Sequence, residues 1–143
     1  MMFGTYQGII SPKRRVAIPS SFRKKLGEKF ILAKWYEGCL VLVVEDSWSA
    51  LLERLRGESK LITRGVRDTD RFILGSAYEV APDEQGRVVI PSSLAAYAAI
   101  KRDVSFIGLG DRVEIWDKEA WGKREKLVSE SAGDLLEKMA NEK

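Results

Sequence analysis

The chain has 143 residues, 45% apolar and 31% charged, the make-up of a folded globular protein and not of a disordered one. It has no histidine, which removes Ser-His and Cys-His nucleophilic catalysis and the usual zinc sites, and no pair of acids stands in an apolar setting, so neither an enzyme nor a cofactor nor a small-molecule substrate is expected. The net charge of +3 is unevenly shared: residues 1–72 carry a net +6 and residues 73–143 a net −3, with six cations and no acid between residues 11 and 25.

The N-terminus MMFGTYQG lacks the cationic, apolar, small-residue order of a secretory signal, and no apolar run approaches the roughly 18 residues that span a bilayer. The one cysteine, Cys39, cannot close an internal disulfide and stands just ahead of the apolar run LVLVVE, which reads as a buried structural thiol. These features predict a cytoplasmic protein with no membrane partner.

The first elements already contain half of an internal repeat. An extended segment led by Tyr6 is followed by the polar turn at residues 11–14, then by a short strand over 15–18 that Pro19 ends, because proline cannot donate to a ladder. The same residue starts a helix well, so 19–26 is predicted helical with Gly27 as its C-terminal cap. A hairpin over 30–35 and 39–45 turns at Tyr36-Glu37-Gly38, and Asp46 is the expected N-cap of an amphipathic helix carrying Trp48, Leu51, Leu52 and Leu55. Residues 57–71 are polar and contain glycine, and read as a linker.

The second half repeats this order. SPKRRVAIPSS, starting at Ser11, and DEQGRVVIPSS, starting at Asp83, share the tail R-V-x-I-P-S-S seventy-two residues apart. A turn at 83–86, a strand over 87–90, a helix over 91–99 and a hairpin over 104–109 and 112–116 follow, and Asp117 is the N-cap of a final helix. Along residues 120–142, Val128, Ala132, Leu135, Leu136 and Met139 form one stripe, which either folds back on its own chain or meets a neighbouring subunit. The four tryptophans stand at element ends and read as core anchors. Gly8, Gly27, Gly38, Gly108 and Gly110 read as turn glycines. The expected organisation is a first repeat (1–56), a linker (57–71), a second repeat (72–122) and a C-terminal amphipathic helix (123–143). Units of about 50 residues rarely stabilise themselves, so the two should bury their apolar faces together as a pseudo-dimer within one chain, in a mainly β, α+β fold with short helices.

The repeated turn admits two readings. In the structural one, Gly86 supplies positive φ and Asp83 bonds backbone N–H groups or pairs with Arg87. In the functional one, the turn presents Arg87, with Gln85 and Gly86, to phosphate or to a base edge, since a planar guanidinium fork suits both. The first copy favours the second reading: Ser11 replaces the acid and Lys13 and Arg14 add charge beside Arg15, which a structural turn does not need.

The opening FGTY, the D-x-x-x-R motif followed by apolar residues and I-P, its duplication, and GDRVEIWDKEAW together resemble the MraZ proteins, bacterial transcriptional regulators with two SpoVT-AbrB-type domains. The likeness runs from Phe3 to about Trp121. It implies a double-split, AbrB-like β-barrel formed by both halves, assembly of subunits into a ring, and binding of double-stranded DNA at repeated promoter boxes of the division and cell-wall gene cluster, in the cytoplasm and nucleoid. It places the DNA contacts at Lys13, Arg14, Arg15, Gln85, Gly86 and Arg87, with Ser11 and Asp83 as motif support. The motif is complete at Asp83 and Arg87, whereas the first copy has Ser11 for Asp and Arg14 for Gly. An AbrB-type antitoxin or another AbrB-like DNA-binding protein is the alternative, although such antitoxins usually carry one barrel half and a disordered tail.

Overall fold

The same run of elements occurs twice in the computed structural model, which describes residues 1–57 and 63–142. The first copy comprises β1 (Met2–Ile9), β2 (Arg15–Ala17), α1 (Ser20–Leu26), β3 (Phe30–Lys34), β4 (Leu40–Val44) and α2 (Glu45–Arg56). After α3 (Arg64–Ile73) the second copy gives β5 (Tyr78–Val80), β6 (Arg87–Val89), α4 (Ser92–Tyr97), β7 (Asp103–Gly110), β8 (Arg112–Asp117) and α5 (Lys118–Ala140). Residues 58–62 of the expected linker and Lys143 of the expected last helix lie outside the described residues. From Arg64 on, the linker region is helical, started by Thr63, whose Oγ1 accepts the Val66 N–H at 3.3 Å.

Neither copy pairs only with itself. The six-stranded antiparallel sheet runs β1-β7-β8-β4-β3-β5, so each copy's first strand borders the other copy's hairpin. The hairpins meet along β4 and β8, where Leu40 faces Ile115 and Leu42 faces Val113. A separate ribbon of β2 and β6 lies over one face. The α+β class is as expected. The strand pairing is an open sheet with β1 and β5 as edges, capped by the ribbon; among the described residues no pairing closes it into a barrel.

Period-two alternation gives this sheet two apolar faces. On one, Phe30, Leu32, Leu40, Leu42, Phe106, Val113 and Ile115 pack under the ribbon's Val16 and Val88 and under Phe22 and Leu94 of α1 and α4. On the other, Ala33, Trp35, Cys39, Val41, Val43 and Trp116 pack with Leu51 and Ile73, joined by Trp48 and Trp121. Each fully buried aliphatic or aromatic side chain contributes roughly 1.5–3 kcal/mol, and both layers draw such side chains from both copies. Cys39 is fully buried, as expected.

Several local expectations change. Asp46 is not the cap of α2: the helix starts two residues earlier than a cap there would allow, Val44 holds the N-cap position without a side-chain bond, and Glu45 and Asp46 lie in the first turn, where acids suit the helix dipole. Asp117 does cap α5, accepting the Ala120 N–H at 3.3 Å. Pro19 and Pro91 occupy N-cap positions, not the first helical turn. Gly8 and Gly108 lie within strands; a Cβ on Gly108 would stand 2.6 Å from the Phe3 backbone nitrogen, so β1 can approach β7 only over a glycine.

The last helix does not fold back. Trp121 anchors its start against Trp116, with ring centroids 5.5 Å apart. Beyond it Leu127, Val128, Leu135, Leu136 and Met139 are all exposed. The repeat supplies the reason: Trp121 matches Trp48, and the positions matching Leu51 and Leu52 of α2 are Arg124 and Glu125, which cannot enter the sheet's core.

Ala99 follows α4 at the position where Gly27 follows α1, with φ of 49° against 85° for the glycine. Alanine is disfavoured in this left-handed region and the residue is exposed. Ala99→Gly should therefore stabilise the protein by about 0.5–1 kcal/mol, read as a higher urea midpoint.

Candidate nucleic-acid interface

The ribbon's register decides which side chains face outward. Arg15 pairs with Val89, Val16 with Val88 and Ala17 with Arg87. Val16 and Val88 point into the core, so Arg15, Ala17, Arg87 and Val89 share the opposite, outer face. Arg15 and Arg87 are diagonal neighbours there, about 7–8 Å apart by ribbon geometry. They line one shallow cleft together with Asp83 and Val89.

A bend precedes each arginine, and the two bends are built alike. Ser11 and Asp83 each donate their backbone N–H to the carbonyl of the arginine four residues on, at 2.9 Å in both. Their own carbonyls accept Arg14 N–H at 2.8 Å and Gly86 N–H at 2.9 Å. Their side chains also match in role: Ser11 Oγ accepts the Arg15 N–H at 3.1 Å, and Asp83 Oδ1 accepts the Arg87 N–H at 2.9 Å. Serine therefore reproduces the bond to the arginine N–H, while Asp83 Oδ1 also accepts the Gln85 N–H at 2.9 Å. Residue four of each bend is left-handed, with φ of 62° at Arg14 and 74° at Gly86. Arg14 tolerates this at about 1 kcal/mol, against which its Nε donates to the Ile90 carbonyl at 3.0 Å.

The bends are also tied to each other. Ile18 donates its N–H to the Gly86 carbonyl at 3.0 Å, and Ile90 donates to the Arg14 carbonyl at 2.8 Å. Because β2 and β6 run antiparallel, the bends sit at opposite ends of the ribbon.

What differs is the treatment of the arginines. Arg87 does have an acidic partner: its Nε donates to Asp83 Oδ2 at 3.1 Å. The pair is exposed, so its contribution is small, but it fixes one edge of the guanidinium. Arg15 is exposed, and among the described residues no acid holds it in the same way, because Ser11 has no charge to offer. Lys13, Arg14, Gln85 and Asp83 are likewise exposed, and Gly86 is buried.

Gly86 is covered by Arg23, a residue that reading the bends by themselves does not single out. A Cβ at position 86 would fall 1.3 Å from Arg23 Nη1, which lies 3.5 Å from the Gln85 carbonyl. A cation of α1 thus joins the second bend, which has fewer cations of its own; the matching residue in α4 is Ala95. The run of cations from 11 to 25 signals its charge, but only the ribbon register brings it across.

The ionisable groups of the other sheet face are of a different kind. Burial pushes the Cys39 thiol far up, so it is a poor nucleophile. Burial also raises Glu114, whose carboxylate accepts the Trp116 Nε1–H at 2.9 Å. Asp83 is shifted the opposite way, held below the ordinary carboxylate range first by the Arg87 N–H, then by the Gln85 N–H and the Arg87 guanidinium.

A family model described as "MraZ protein, putative antitoxin-like" matches residues 73–141. Proteins named "Transcriptional regulator MraZ" match almost the whole chain. The one from Caldanaerobacter subterraneus subsp. tengcongensis is 41% identical over 141 residues, 99% of this chain and 98% of that protein. The one from Acetivibrio thermocellus is 43% identical over 140 residues, 98% and 97% of the two chains. The Heliobacterium modesticaldum protein is 38% identical over 140 residues, 97% and 96%.

A depressed carboxylate stabilises the fold above the ordinary carboxylate range and loses that contribution as pH falls and the group protonates. Urea midpoints of the parent should therefore drop from about pH 5 to about pH 3, and Asp83→Asn should show a shallower drop over the same range.

Proposed function

The chain belongs to the MraZ family, and from that membership and the geometry of its twin bends we propose that it is a sequence-specific, DNA-binding transcriptional regulator. It acts as two repeats, 1–56 and 72–122, joined by 57–71 and followed by the tail 123–143. Its targets are repeated promoter boxes of the division and cell-wall gene cluster, bound in the cytoplasm and nucleoid by a ring of identical subunits.

The observation that supports this reading is the outer face of the β2–β6 ribbon. A B-form major groove is about 12 Å wide and admits a two-stranded ribbon. Val16 and Val88 fix this ribbon to the core on one side, which leaves Arg15 and Arg87 on the other at a spacing two base edges or phosphates can meet. Asp83 orients Arg87 through Nε, so its two Nη groups remain for a bidentate partner. Lys13, Arg14, Gln85 and Arg23 surround this pair at the ribbon's ends, where the groove walls carry phosphates. The related hydrogen bonds of the two bends give the face an approximate two-fold character, suited to a site with the same symmetry.

One ribbon is too small for tight specific binding, since specific interfaces bury roughly 1,000 Å² or more. A ring sets several ribbons on successive boxes, and each contact raises the effective concentration of the next. Boxes spaced by one helical turn, about 10 bp, keep all contacts on one DNA face.

Arg15→Ala and Arg87→Ala should each weaken binding to a duplex carrying the repeated boxes at least tenfold in a mobility-shift titration, with native far-UV circular dichroism. Affinity of the parent should also fall steeply between 50 and 200 mM salt, by about 0.9 log unit per log unit of salt for each phosphate neutralised. Parent-like binding by both variants, or a flat salt profile, would rule this mechanism out.

A further inference from the structure

Two features are not explained by DNA binding. The first is the distal half of α5, where Leu135, Leu136 and Met139 are 51%, 68% and 67% exposed and Trp121 is the helix's anchor near its start. A helix of this length spans about 34 Å, so the distal half projects well beyond the sheet. The second is a groove where β1, α1, α2 and the β7–β8 turn meet. Its apolar floor includes Met2, Val44 and Leu109, and its rim carries Lys25, Arg54 and Arg112. Among the described residues the one acid there, Asp111, is already held by Arg54 and Arg112. Beside the groove, β1 is an edge strand with no charged residue and with Phe3 70% exposed under the Lys25 ammonium. Natural edges of that length are usually guarded by charge.

The two features complement each other. Around its apolar stripe the distal half of α5 carries Glu130, Asp134 and Glu137 against Lys138, an acidic, apolar helix; the groove is cationic at its rim and apolar at its floor. α5 contributes no residue to the groove of its own chain. We propose that the distal half of α5 from one copy docks in the β1–α1 groove of the next, with Leu135, Leu136 and Met139 on the apolar floor and Asp134 and Glu137 against the cationic rim. The interface is head-to-tail: each copy offers one helix and one groove, so contacts propagate until they close. This rests on the proposed assembly of the chain and names the surfaces that make it.

The test uses the full chain, in which the native Cys39 is buried and does not compete. Under mild oxidation Leu109→Cys/Leu136→Cys should form a ladder of disulfide-linked chains on a non-reducing gel, and Leu136→Glu should fall to the 16.1 kDa monomer in solution mass measurements with an unchanged circular dichroism spectrum. Dimers formed by Leu136→Cys alone would mean that α5 packs on α5, and would overturn the docking proposed here. So would the absence of a ladder, or a Leu136→Glu protein of parental mass. A parent that is itself a 16.1 kDa monomer would remove the assembly as well. DNA binding by Leu136→Glu to a single box, with the parent's affinity for that box, would keep the ribbon reading separate from this one.

Discussion

Two reciprocal hydrogen bonds, from Ile18 N–H to the Gly86 carbonyl and from Ile90 N–H to the Arg14 carbonyl, hold the rest of the arrangement together. Each joins the residue before a proline in one copy to the fourth residue of the bend in the other. Neither bend can take up its position unless the other half of the chain is folded against it. The ribbon, the two arginines it displays and the burial of Val16 and Val88 all follow from that exchange. Arg14 accepts the second of these bonds while its backbone is left-handed, the conformation that Gly86 adopts at the matching position.

The exchange recurs at larger scale in the sheet. β1 completes the hairpin of the second copy and β5 that of the first, and the hairpins abut at β4 and β8. A unit of about 50 residues buries too little apolar surface to be stable alone. Sharing both strand pairing and core lets two such units form one domain with two apolar layers. The copies then diverge where packing permits: Val41 is matched by Glu114, Gly27 by Ala99, and the buried Leu51 and half-buried Leu52 by Arg124 and Glu125. The last difference releases α5 from the sheet and leaves its apolar stripe for another surface.

Much of this was legible in the residues. The proline-ended strands, the two hairpins, Gly27 and the cap at Asp117 follow from local chemistry, and the repeated R-V-x-I-P-S-S exposes the duplication. What was not legible depends on contacts distant in sequence. Local signals do not say that β1 pairs with β7, about a hundred residues away, or that the sheet stays open under a ribbon. Asp46 looked like a cap because it resembles Asp117 in type, yet the repeat alignment puts Val44 there. The helix at Arg64–Ile73 was hidden by its many charges, and is held in place by Phe72 and Ile73 on the second core. At the candidate interface the charge of residues 11–25 was visible, but Arg23 reaching over Gly86 was not, and the Asp83–Arg87 pair, one of the two readings of the second turn, leaves the arginine it holds partly exposed.

If the outer ribbon face, and not the helical face of the sheet, meets DNA, hydrogen exchange of the full chain with and without a duplex carrying the repeated boxes will show it. Adding DNA should slow exchange in residues 11–18 and 83–90 and leave residues 45–56 and 64–76 unchanged. Protection confined to those helical segments, or none anywhere at low salt, would contradict it.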